Sequence, residues 1–138
     1  MLKGLLAISG QSGLFRKIAE SKNNIIVESL ETGKRMPVYS SSKMSALEDI
    51  AIYTEDGEVP LKDVLKAIYE KENGSNSINH KSPSEKLKSY FAEVLPSYDR
   101  DRVYVSDIKK VILWYSILLE KDILDFSGED DTEEKPES

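Results

Sequence analysis

Apolar and polar positions alternate with one period up to about residue 60 and with another beyond it. In the first half, apolar runs at residues 5–9, 14–19 and 25–30 are separated by Gln11-Ser12-Gly13 and Lys22-Asn23-Asn24. Short runs rich in β-branched residues, punctuated by Gly and Asn, predict strands. Glu31-Thr32-Gly33-Lys34 predicts a hairpin loop, because Gly33 can take a positive φ at no steric cost, and residues 35–39 return as a fourth strand. Pro37 cannot donate to a ladder, which places that strand at an edge. Met44, Leu47 and Ile50 suggest one helical turn, followed by a fifth strand at 50–54 that Glu55-Asp56-Gly57 closes. Five short strands at this spacing predict a small, strongly curved sheet or barrel, since closure removes exposed edges.

Beyond Pro60 the period becomes helical. Leu61, Val64, Leu65, Ile68 and Tyr69 lay one apolar stripe along a helix that Asn73-Gly74 stops. After a polar loop at 75–81, Ser82-Pro83-Ser84-Glu85 predicts a second helix start, with Ser82 as N-cap and Glu85 closing a capping box. Its stripe is Leu87, Tyr90, Phe91, Val94 and Leu95, and Pro96 ends it. A third helix, capped by Ser106 or Asp107, runs to about Lys121 with Ile108, Val111, Ile112, Tyr115 and Leu119 on its main face. Leu113, Trp114, Ile117 and Leu118 leave little of its circumference polar. A helix apolar all round is buried on several sides. The spare face must therefore meet either the β-rich half or a partner, including another copy of the chain.

These periods predict an α+β protein: a β-barrel domain over residues 1–58, a three-helix domain over 59–126, and an acidic tail over 127–138 that is too charged to fold. The net charge of −6 belongs almost wholly to that tail, which carries six acids against Lys135, and leaves only −1 on residues 1–126. Nucleic acid is thus not excluded by the low pI, because a tethered charge is screened beyond roughly 8 Å. The chain has no cysteine, which removes disulfides and thiol chemistry and fits a cytoplasmic setting. Its longest apolar stretch, 111–119, is about half the length that spans a bilayer, so no membrane role is expected.

Catalytic patterns are missing. The single histidine, His80, lies in a Ser/Asn loop with no acid or nucleophile beside it in sequence. Glu55, Asp56 and Glu58 lack the ligand spacing of a calcium loop, and Gly10-Gln11-Ser12-Gly13 lacks the Lys-Ser/Thr of a phosphate loop. Ser40-Ser41-Ser42-Lys43 gains nothing from adjacency alone. No enzyme activity, cofactor or metal is expected.

The most distinctive segment is Tyr98-Asp99-Arg100-Asp101-Arg102-Val103-Tyr104. Extended, it would set both Arg on one side, as a face for phosphate or carboxylate, with Tyr98 and Tyr104 able to stack on a base and Lys109 and Lys110 adding positive potential. The competing reading is that Asp99 and Asp101 pair with cations and pin the connection over the helices.

Leu2-Lys3-Gly4, Gly13-Leu14-Phe15, the 26–30 run Ile-Val-Glu-Ser-Leu, the 53–61 run from Tyr53 to Leu61, Asp99-Arg100-Asp101-Arg102-Val103-Tyr104 and Ser106-Asp107-Ile108-Lys109-Lys110 resemble an uncharacterised protein family of Bacteroidetes. The resemblance spans roughly residues 1–126. It implies an SH3-like β-barrel joined to a small helical domain, and it implies no activity. The function expected is a protein-interaction or regulatory module, with nucleic-acid binding through Arg100, Arg102, Lys109 and Lys110 as the alternative.

Overall fold

The computed structural model describes residues 2–11, 13–39 and 43–124 of the 138-residue chain. The expected acidic tail lies outside the described residues. Strands β1 (Leu5–Ile8), β2 (Phe15–Glu20), β3 (Asn24–Ser29), β4 (Arg35–Tyr39) and β5 (Met44–Ala46) form an antiparallel sheet in the order β4-β3-β2-β1-β5. Gly33 takes φ +77° in the β3–β4 loop, as its place there requires. No ladder joins β4 to β5 among the described residues, so the sheet stays open where a closed barrel was expected. A three-residue β5 and a β4 interrupted by Pro37 offer few donors for a closing ladder.

Two other expectations fail between residues 44 and 60. The spacing of Met44, Leu47 and Ile50 suggested a helical turn, but Met44–Ala46 is β5 and only Leu47–Asp49 is helical, as one 3-10 turn. The presumed fifth barrel strand is instead β6 (Ala51–Thr54), which pairs with β7 (Gly57–Pro60) in a separate hairpin. An apolar spacing of three over seven residues fits a turn and a strand pair equally well.

The helices follow their periods. α1 (Leu61–Lys71), α2 (Ser84–Val94) and α3 (Val105–Glu120) turn the stripes read from the sequence into the core, with Tyr69, Val94, Leu95 and Leu119 half-buried at its margin. Asn73 adopts φ +54°, and the Gly74 and Asn73 N–H groups bond back to Tyr69 and Glu70, so two orphan carbonyls at the end of α1 are satisfied. Asp122 does the same for α3, at φ +57°, with the Ile123 N–H on the Leu118 carbonyl. The capping box expected for α2 is not made, because Pro83 itself is the N-cap and Ser82 lies one residue too early to reach the helix.

Two cores result. Ile8, Phe15, Val27 and Val38, with Leu6, Ile25, Met36 and Met44 against them, fill one face of the sheet with side chains from all five strands. Leu2, Leu5, Leu14 and Leu47 instead join a larger cluster built from all three helices and Ile52 of the hairpin. Alternation along β1 explains the split, since Leu5 and Ala7 point to the helices while Leu6 and Ile8 point to the small core.

Candidate functional site: a cleft between the hairpin and the third helix

The connection from α2 to α3 runs beside β6 like a third strand. The Glu55 N–H bonds the Ser97 carbonyl at 2.9 Å and the Asp99 N–H bonds the Tyr53 carbonyl at 3.0 Å. Tyr98 is buried beneath, its ring edge-on to Phe91 with centroids 5.0 Å apart. Beyond it the chain turns instead of extending. One Asp99 carboxylate oxygen accepts the N–H groups of Asp101 and Arg102, and the other accepts Arg102 Nε at 3.0 Å. The Arg102 side chain, and then the Asp101 N–H, hold the Asp99 carboxyl below its ordinary pKa.

The turn separates the two arginines. Arg100 donates to the Pro96 and Tyr98 carbonyls at 3.0 and 2.7 Å, with its guanidinium 4.3 Å over the Tyr98 ring. Arg102 lies 4.4 Å over the Tyr53 ring. The shared two-arginine face expected of an extended segment is therefore not formed.

Asp107 starts α3 by reaching back to accept the Tyr104 N–H at 3.0 Å. Between this helix start and β6 lies a cleft of about 170 Å³. Ile52, Val103, Val111 and Trp114 make its apolar wall, and Tyr53, Arg102, Asp107 and Lys110 supply its polar groups. Arg102 Nε is held by Asp99, whereas Lys110 has no hydrogen bond or ion pair among the described residues. The cleft can accept an apolar group in its wall and a carboxylate at its two cations.

Of the residues singled out from the sequence, Arg102, Lys110 and Trp114 thus converge on one site. Tyr104 and Lys109 are exposed outside its lining, and Arg100 is occupied by backbone carbonyls. Trp114, Ile117 and Leu118 are buried and Leu113 is half-buried in the chain's own larger core. The second apolar face of α3 is covered from within the chain. Tyr53 and Asp107 were missed as site residues, although the alternation of Ile52 inward and Tyr53 outward was readable. Among the described residues no group of three or more His, Asp or Glu side chains could hold a metal ion, and no helix is long and apolar enough to cross a membrane.

A second surface, on the sheet, escaped the sequence reading altogether. On the face of β2–β4 opposite the small core, Arg16, Glu28 and Arg35 stand in register, followed by the row Ala19, Ile26 and Pro37, and then Asn24 with Tyr39. Tyr39 is 56% exposed and Arg16, Arg35 and Pro37 are exposed. Charge partition by half was the available signal. Residues 1–47 carry seven Lys and Arg against three Glu, or +4, whereas residues 48–124 carry eleven against fifteen acids, or −4.

Two family models match the chain, each described as a domain of unknown function: DUF5606 over residues 2–47 and DUF6852 over residues 50–118. A comparison with curated proteins gives no match. A solution NMR structure of a protein from Bacteroides vulgatus, from the Northeast Structural Genomics Consortium, is 50% identical, with 91% of each chain covered and a TM-score of 0.76. In sequence and in fold, the chain belongs to the uncharacterised Bacteroidetes family that carries these two domains.

Proposed function

We propose that the chain is a non-catalytic protein-interaction module of the cytoplasm, and that it recognises a partner's apolar side chain and neighbouring carboxylate in the cleft between β6 and α3. The observation that carries this reading is the pairing of Arg102 and Lys110 with an apolar wall containing Val111 and Trp114. Such a wall gains from burying an apolar group, at about 25 cal/mol per Å², while the cations fix its orientation. The absence of cysteine agrees with a reducing compartment. We read the five-stranded sheet as an SH3-like barrel left open, in support of which all five strands contribute to one small core and the order is β4-β3-β2-β1-β5.

Trp114 is the single tryptophan, so its indole resonance reports the cleft. Titration with an acetylated tripeptide ending in phenylalanine and a free carboxylate should move the Trp114 and Lys110 resonances together. Arg102→Ala should weaken that binding roughly tenfold, about 1.4 kcal/mol for a lost charge-assisted contact. No shift at either residue at millimolar peptide would sink the reading.

Nucleic-acid binding is the second reading, favoured by Tyr104, which is 64% exposed beside Lys109 and Lys110 at the start of α3. It requires affinity for a single-stranded oligonucleotide that drops steeply with salt and with Lys109→Ala plus Lys110→Ala. Salt-independent binding, or none, would dismiss it.

A further inference from the structure

We propose that the outer face of β2–β4 is the docking surface for the chain's own acidic segment, residues 127–138. Three observations meet here. The first is charge. Residues 127–138 carry −5 and residues 1–47 carry +4, while the helical residues 48–124 carry −4 and would repel the segment. Two of the acids in the sheet half are already engaged, Glu20 by Lys17 and Glu28 by Arg35. Arg16, Lys22 and Lys34 have no ion pair among the described residues and remain for an incoming carboxylate.

The second observation is reach. α3 brings its last turns to the sheet: Ile117 Cδ1 stands 3.9 Å from the point that a Gly13 Cβ would occupy. After the reversal at Asp122, Leu124 is buried in the larger core, the same cluster that holds Leu14 at the entry to β2. Gly13 is three residues from Arg16, about 10 Å of extended chain, and Glu129 is five residues from Leu124, about 17 Å. Glu134 is ten residues from Leu124, about 34 Å of extended chain, so the acidic run has the length to lie along the row that holds Arg16 and Arg35. Tethering then supplies an effective concentration in the millimolar range, enough for weak ionic contacts to fill the face.

The third observation is the surface itself. Ile26 and Pro37, and then Tyr39, lie in the rows next to the one in which Glu28 stands between the two arginines, and none of the three belongs to either core. Pro37 and an exposed Tyr39 give the face apolar contact area that suits an extended peptide laid across the strands. The inference is independent of the cleft.

The chain has no cysteine, so Thr132→Cys creates a unique site for a nitroxide on the full-length protein. At low salt, paramagnetic broadening should concentrate on Arg16, Ile26, Arg35 and Tyr39. It should fall at least about threefold in 1 M salt, where the screening length shrinks to about 3 Å. Arg16→Glu plus Arg35→Glu should abolish it while leaving the amide shifts of the helices unchanged. The salt arm needs no substitution, and so stands even if that variant folds poorly. Absence of broadening on β2–β4, its concentration on Arg102 and Lys110, or its appearance only between labelled and unlabelled molecules would each overturn the proposal. The last would assign the face to a second copy of the chain.

Discussion

Tyr115 donates its hydroxyl proton to the Ser75 carbonyl at 2.7 Å from inside the larger core, and Tyr90 donates to the Glu72 carboxylate. Burial and the nearby Glu72 charge push the Tyr115 hydroxyl up to about 12, and burial followed by the Glu72 hydrogen bond raises Tyr90 further. Both groups are bound as neutral phenols, so the folded state holds its protons where an unfolded tyrosine, with pKa about 10, has lost them. The stability they add is complete below pH 10 and is lost as pH rises above 10, through about 12 for Tyr115 and at still higher pH for Tyr90. Thermal melts across that window should show the loss, and Tyr90→Phe plus Tyr115→Phe should flatten the dependence. An unchanged slope in the double variant would show that other groups set the alkaline limit. A similar economy of single side chains governs the cleft, where Asp99 locks the turn that lays Arg102 over Tyr53.

At the scale of the element, α3 depends on Asp107 more than on its neighbours. Its carboxylate accepts the Tyr104 N–H and sits at the positive end of the helix. Asp107→Ala should therefore cost about 1 kcal/mol in urea unfolding, while Ser106→Ala, with no cap contact, should be near neutral. Equal effects would remove the asymmetry. The helices were legible because eleven to sixteen residues repeat one period and carry their own stops, Asn73-Gly74 among them. The segment from Met44 to Pro60 was not, because β5, the 3-10 turn and both hairpin strands are each four residues or fewer and no period can establish itself. The cleft was half legible. Arg102, Lys110 and Trp114 stood out by type, but their meeting depends on a hairpin and a turn that long-range contacts decide.

For the molecule as a whole, the sheet cannot be detached from the helices. Leu2, Leu5, Leu14 and Leu47 belong to the helical core, and exposing four such side chains would cost roughly 1.5–3 kcal/mol each, comparable with the entire stability of a small domain. The full chain should unfold in one transition, coincident by Trp114 fluorescence and far-ultraviolet circular dichroism. A fragment of residues 1–49 should show the narrow amide dispersion of an unfolded peptide. Two separated transitions, or a folded fragment, would contradict a shared core.

Leu47, the last residue of the first family-model match and fully buried in the 3-10 turn that leads to the second, bears on how such proteins can diversify. The join between the halves is the natural crossover point for exchanging them with those of a relative. Because that join is itself a core position, a chimera inherits one half of a lock and the other half of a different key. Exchange succeeds only when the incoming helices bring a socket cut for the residue at position 47. Through that shared core each half constrains the substitutions the other can accept.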